Sequence, residues 1–211
     1  MESPSLIFIT GGVRSGKSSF AERLAVETAA GTGGDLHYIA TGVSFDEEMK
    51  IRIRRHREDR QKSGIRWRTW EQPENIGALA SFFTKKDIIL LDCITTLVNN
   101  ELFFMGGRLD EPLVEGIYGR VVSGVEAIRE KGRLLIAVSN EVLFEPYSDD
   151  ELLFVYRKLL GKIHQKMVRI ADEAYLVEAG VPLLMKGNRA AGAGIAPPAL
   201  GWTGERKHES D

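Results

Sequence analysis

Residues 6–19, LIFITGGVRSGKSS, join an apolar run, a glycine-rich turn and the start of a helical pattern without a gap. Ser5 to Thr10 have the length and β-branched content of a buried strand. Gly11, Gly12, Val13, Arg14, Ser15, Gly16, Lys17 and Ser18 then satisfy G-x-x-x-x-G-K-S, and a helical pattern over 17–29 follows at once. Glycine lets the backbone turn so tightly that successive N–H groups point inward at phosphate oxygens. The helix start adds the positive end of its dipole, Lys17 a mobile charge for the outer phosphates, and Ser18 a hydroxyl suited to Mg2+. The competing reading is a plain glycine-rich turn. A strand before and a helix after are the context that favours phosphate binding.

Further strands are expected at Leu36–Ala40, Ile65–Trp70, Ile88–Asp92, Leu134–Ser139 and Ala174–Val177, with Pro182–Met185 as a possible edge return. Between them lie helical patterns near 45–62, 74–84, 111–131 and 149–171. This alternation predicts an α/β fold with a mostly parallel sheet flanked by helices. In the last helix Ser148 and Glu151 match a capping box, and Leu152, Tyr156, Leu159, Ile163, Met167 and Ile170 recur at helical spacing as core contacts. Residues 1–187 read as a single catalytic domain. The stretch 188–211, rich in Gly, Ala and Pro, reads as a flexible tail or a strap on a neighbouring subunit.

A chain of 211 residues with 43% hydrophobic and 27% charged residues can bury one full core. Its net charge of -2 gives no global attraction to nucleic acid or anionic membrane, so the expected partner is small. No apolar run approaches the roughly 20 residues of a membrane span. The N-terminus lacks the basic lead of a signal peptide, and the one cysteine, Cys93, cannot form an internal disulfide. The plain expectation is the cytoplasm.

Two further signals carry chemistry. The strand IILLD ends in Asp92, where an acid can approach a metal opposite Ser18 or, alternatively, cap the helix that starts near Thr95. Cys93 beside it reads as a small buried residue. The segment IRIRRHREDR, 51–60, sets His56 among Arg52, Arg54, Arg55, Arg57 and Arg60. On a helix, Arg52, His56, Asp59 and Arg60 share a face. Flanking cations disfavour imidazolium and leave a lone pair that can attack phosphorus, forming a phosphoramidate. The bland alternative is a solvated basic helix with an incidental histidine.

Together, TGGVRSGKSSFAE, YIATG, DEEMKIRIRRHREDR, WRTWE, LLDCITTLVNN and SNEV run in the order seen in the bifunctional adenosylcobinamide kinase/adenosylcobinamide-phosphate guanylyltransferases of cobalamin assembly, which the chain resembles from about Leu6 to Lys186. The resemblance implies a RecA-like P-loop NTPase fold and a homotrimer with sites near subunit boundaries. It implies that His56 becomes guanylylated, that Lys17 is catalytic, and that Gly11 through Ser18 form the phosphate loop. By the same resemblance Ala40, Thr41, Gly42, Arg57, Glu58, Asp59, Arg60, Glu71 and Asp92 line the nucleotide site, with Ser18 and Asp92 on Mg2+. GTP and ATP are the implied nucleotide substrates, and adenosylcobinamide or its phosphate the acceptor. The chain departs from the family's usual pattern at Gln61, at Leu143 and Phe144, and at His164-Gln165. His164 is expected on the helix surface or at an interface. A different class of function stays open: a nucleotide-dependent switch, or a phosphotransferase with another acceptor, in which 52–60 is an anion patch.

Overall fold

The computed structural model describes residues 5–42, 65–104, 110–141 and 151–187. In chain order these form β1 (Leu6–Gly11), α1 (Lys17–Thr32), β2 (Asp35–Ala40), β3 (Trp67–Glu71), a 3-10 helix (Ile76–Phe82), β4 (Asp87–Asp92), α2 (Ile94–Phe104), α3 (Glu111–Lys131), β5 (Leu134–Asn140), α4 (Glu151–Ile170), β6 (Glu173–Glu178) and β7 (Val181–Lys186). The strands form one sheet in the order β3-β2-β4-β5-β1-β6-β7. All neighbours pair in parallel except β7, which returns antiparallel on β6 as the Pro182–Met185 pattern suggested.

Side chains alternate between the faces of a strand, and a buried parallel sheet needs apolar residues on both. One face of this sheet presents Ile7, Ile9, Tyr38, Leu90 and Val138 to Phe20, Ala21, Leu24 and Ala25 of α1. The other presents Phe8, Ile39, Leu91, Leu135 and Ala137 to the 3-10 helix, α2, α3 and α4. Helix α3 spans the predicted 111–131, and the structure shows its ends: the Asp110 carboxylate accepts from the Leu113 N–H at its start, Pro112 occupies the first turn, and Arg129 and Lys131 lie near the negative end of the dipole.

Three expectations change. The predicted helix over 74–84 is a 3-10 helix, held by i to i+3 bonds such as Ala78 N–H to the Asn75 carbonyl. Its seven residues are too short to nucleate a stable α-helix alone, and Gly77 lies so close to Gly124 of α3 that packing shapes the backbone. Helix α2, anticipated only through its start near Thr95, extends over Ile94–Phe104. In α4, Leu159, Ile163 and Met167 are buried as expected, whereas Leu152 is exposed because it lies in the first turn, before the helix meets the sheet. The predicted helix at 45–62, Ser148, Leu143, Phe144 and the tail 188–211 lie outside the described residues. Among those described, no helix is long and apolar enough to cross a membrane.

The start of β1 is pinned by Asp172, whose carboxylate accepts from the Ser5 and Leu6 N–H groups and the Ser5 hydroxyl, with Arg129 at 3.5 Å. Partial burial raises its pKa, but these donors and the guanidinium outweigh it and hold the carboxyl below the ordinary aspartate value. A depressed carboxylate pKa adds stability above the unfolded-state value near 3.9, and that stability is lost as pH falls further. Asp172→Asn should therefore lower Tm at pH 7 by roughly 2–4 °C, about 1 kcal/mol. The gap between variant and wild type should narrow as melts are taken from pH 7 to pH values below the unfolded-state carboxylate range, and a gap that does not narrow would contradict the assignment.

Candidate active site

The phosphate loop is built as the motif requires. Gly11 ends β1 where β6 passes so close that a Cβ would meet the Val177 carbonyl oxygen at 2.3 Å and Ser15 Oγ at 2.7 Å. Gly16 takes φ 91° as the N-cap of α1, a left-handed conformation costly for other residues, and a Cβ there would press on Gly180 Cα at 3.2 Å. The turn between β6 and β7 braces the loop from behind, through the Gly180 N–H on the Ser15 carbonyl at 2.8 Å. Lys17 is only 5% exposed, and its ammonium donates to the Gly12 carbonyl at 2.9 Å. The Ser15 hydroxyl is buried without a protein partner, leaving a donor inside a loop already rich in N–H groups. Val13 and Arg14, at the crest, are exposed, and Arg14 has φ 61°.

Gly11→Ala should cost about 2–3 kcal/mol of stability, roughly 5–10 °C in Tm, because the obstructing atom is backbone. Nucleotide affinity should fall by at least about tenfold with it. Gly12→Ala, with nothing within 4 Å of the added Cβ, should leave Tm unchanged. Thermal melts and nucleotide titrations of both variants check the contrast.

Strand alternation gathers the polar ends of the strands on the α1 face. Counting in twos from Ile9, Tyr38, Trp67, Leu90 and Val138, which all belong to that face, reaches Gly11, Ala40, Glu71, Asp92 and Asn140. Asp92 thus faces the helix that carries Lys17 and Ser18. Its carboxylate accepts from the Tyr38 hydroxyl at 2.9 Å, and the Lys17 ammonium is near enough to act on the neighbouring Cys93 thiol. Cys93 is a small buried residue, as expected, and burial pushes its thiol pKa up, away from nucleophilic use.

Strand order separates residues that the motifs list side by side. Strand β5 stands between β1 and β4, so Asp92 is two strand spacings, about 10 Å, from the line of the phosphate-loop strand. Glu71, on the edge strand, is four spacings from β1, about 19 Å, and is not a neighbour of loop-bound phosphates. Ala40 pairs with both Glu71 and Asp92, so the chain leaves the sheet at Gly42 between these two acids, on its way to the segment that carries His56. His56, Arg57, Glu58, Asp59 and Arg60 lie outside the described residues.

Thr41 is fully buried. Its hydroxyl accepts from the Cys93 N–H at 2.8 Å and donates to the Cys93 carbonyl at 2.9 Å, and its own carbonyl accepts from Asn100, which also holds Pro73. Its side chain therefore locks the ends of β2 and β4 together and shapes the site without reaching into it.

Sequence reasoning passed over Asn140, although LLIAVSN ends in a polar residue just as DIILLD does. Asn140 is level with Gly11, the next N–H, from Glu141, donates to the Gly11 carbonyl at 2.9 Å, and the Asn140 carboxamide nitrogen lies 4.0 Å from Cys93 Sγ. His164 departs from its expected surface position: it is 8% exposed, packs against Phe8, and bonds Ser139 Oγ through Nε2 at 2.7 Å. Burial pushes its pKa down to about 4, so the ring is neutral near pH 7. The cause is its position one turn from Leu160, on the stripe of α4 that covers the sheet.

A phosphate loop entering α1, an acid at a strand end on the same face, and an inserted strand between the two define a P-loop nucleotide-binding protein of the RecA-like class. The model of one family, cobinamide kinase/cobinamide phosphate guanyltransferase, matches residues 7–185, and the chain belongs to this family. It is 31% identical over 188 residues to the bifunctional adenosylcobalamin biosynthesis protein CobU of Escherichia coli, covering 86% of this chain and 99% of that one. The CobU of Salmonella typhimurium is 32% identical with the same coverage, and the CobP of Pseudomonas aeruginosa is 34% identical over 180 residues, covering 85% and 96%. Among solved structures, flagellar accessory protein FlaH from Methanocaldococcus jannaschii overlaps with a TM-score of 0.46 at 16% identity, covering 87% of this chain and 78% of that one.

Proposed function

We propose that this chain performs both reactions of its family's description on one nucleotide-binding platform. In the first, the γ-phosphoryl group of ATP or GTP passes to the hydroxyl of adenosylcobinamide, with the nucleoside diphosphate as leaving group. In the second, a His56 nitrogen attacks the α-phosphorus of GTP. The bond to the β-phosphate breaks, pyrophosphate leaves, and a guanylyl-histidine forms. A phosphate oxygen of adenosylcobinamide phosphate then attacks the same phosphorus, the P–N bond breaks, and adenosylcobinamide-GDP is released. The observation that carries this reading is the convergence of Lys17, the N-terminus of α1 and Asp92 on one face of the sheet, which gives a polyphosphate cation and dipole on one side and an acid on the other.

Ser18 and Asp92 offer an oxygen-only donor pair. Among the described residues no group of three or more His, Cys, Asp or Glu side chains is placed to hold a metal ion, so most ligands would come from phosphates and water, as suits Mg2+. When bound there, Mg2+ would neutralise phosphate charge. Within the protein, Lys17 would hold the outer phosphates, and Arg57, Glu58, Asp59 and Arg60 would line the guanylate beside His56. Glu71 is too far along the sheet for the loop-bound phosphates and would contact another part of the nucleotide. A homotrimer, a cytoplasmic location, and one catalytic domain over 1–187 with a flexible tail complete the reading. Family membership favours this transferase over a nucleotide-dependent switch.

The test is covalent labelling. Wild-type protein with Mg2+ should take up label from α-labelled GTP, not from γ-labelled GTP, in an acid-labile and alkali-stable linkage. A protein that takes up no such label is not a guanylyltransferase of this kind.

A further inference from the structure

The buried hydroxyls and imidazole behind β5 have no part in the mechanism above, yet they form one continuous chain. Ser139 points to the α4 face of the sheet and Asn140, one residue on, to the α1 face. Ser139 Oγ lies 2.7 Å from His164 Nε2 and 2.8 Å from Thr95 Oγ1, and Thr95 Oγ1 lies 2.6 Å from the Asn140 backbone nitrogen. Only the Asn140 N–H has a fixed direction, and from it to the ring one arrangement lets each hydroxyl both accept and donate. The Asn140 N–H gives to Thr95, the Thr95 hydroxyl gives to Ser139, and the Ser139 hydroxyl gives to Nε2 of a neutral imidazole whose proton is on Nδ1. Each hydroxyl then accepts once and donates once, and such chains polarise one another in a dry interior. Tyr156 adds a second hold from α4, donating to the Thr95 carbonyl at 3.3 Å.

The far end of this chain lies beside the strand that enters the phosphate loop. Asn140 pairs in register with Gly11, and its carboxamide reaches toward Cys93, on which the Lys17 charge acts. On β5, between β1 and β4, the carboxamide therefore stands between the loop and the Asp92 strand end.

We propose that Asn140 hydrogen-bonds the transferring phosphoryl group, and that His164, acting through Ser139 and Thr95, is the positioning residue that fixes Asn140 there. The proposal rests on the kinase reading. A leucine at 164 leaves the Ser139 hydroxyl buried without its acceptor and frees the strand end to shift, and a misplacement of about 1 Å can cost on the order of a hundredfold in rate.

The experiment is steady-state transfer from γ-labelled ATP or GTP to adenosylcobinamide by the full chain, with Tm measured for each variant. Asn140→Ala and His164→Leu should each lower kcat by about 30-fold, with the nucleotide KM changed by less than about threefold. His164→Gln, whose side-chain oxygen can accept at the place of Nε2, should stay within about fivefold of wild type. Adding His164→Leu to Asn140→Ala should cost less than about threefold more, because the two act on one group. Unchanged kcat in His164→Leu, a glutamine variant as slow as the leucine variant, or losses that multiply in the double variant would each overturn the proposal. If His164→Leu does not fold, Ser139→Ala takes its place with the same expectations. If the wild type hydrolyses nucleotide but leaves adenosylcobinamide unmodified, the kinase reading falls, and the same comparison on hydrolysis rates decides the role of His164. A wild type that does neither overturns both.

Discussion

His56→Ala is expected to abolish covalent labelling from α-labelled GTP, by at least about a thousandfold, while phosphorylation of adenosylcobinamide falls by less than about tenfold. The two arms differ in what they demand of a nucleophile. In the kinase arm the acceptor hydroxyl attacks the γ-phosphorus directly, and the protein has only to hold the phosphates and stabilise the charge that moves. In the guanylyl arm as proposed, the imidazole would itself be the attacking group, and alanine has no atom to replace it. Arg52, Arg54, Arg55, Arg57 and Arg60 remain in the variant, so attraction of the triphosphate to this segment is kept. GTP titration of the variant should accordingly give a Kd within a few-fold of wild type. Equal loss of both activities would assign His56 to a shared role in binding and would remove the guanylyl-histidine from the mechanism.

Lys17→Ala should produce the opposite pattern, a loss of about 10²–10³ in kcat/KM for both arms. The ammonium belongs to the phosphate loop that both reactions would use in the proposed scheme, one releasing the nucleoside diphosphate and the other pyrophosphate. Its effect on stability should be small. The variant loses a charged hydrogen bond to the Gly12 carbonyl, but it also relieves a cation held at 5% exposure of its desolvation cost. A Tm within about 3 °C of wild type, together with the loss of both activities, would separate this residue from Gly11, whose replacement disturbs loop and fold together. Retention of one full activity in Lys17→Ala would mean that the two arms bind their phosphates at different places.

Much of this molecule is written locally. The strand-loop-helix unit from Leu6 to Thr32 is specified by contiguous residues: β-branched packing, glycines at the two positions where backbone crowds or φ is positive, and a helix start at Lys17. The apolar runs that become β2, β4, β5 and β6, the capped α3 and the antiparallel return of β7 are read in the same way, because strand composition and helix caps act over a few residues. The burial of His164 was not legible for a physical reason: a polar side chain on a helix stripe reads as solvent-facing until its partner is known, and Ser139 is 25 residues away.

Pattern and motif alone therefore made legible an α/β chain, its glycine-rich strand-loop-helix unit and the acid that ends the Asp92 strand. Which residues stand together depended on strand order and register, which are set by long-range pairing. The insertion of β5 between β1 and β4 moved Asp92 one strand further from the loop and brought Asn140 beside Gly11. The same pairing carried Glu71 to the distant edge, and it turned the buried imidazole of His164 toward the back of the strand that ends at the site.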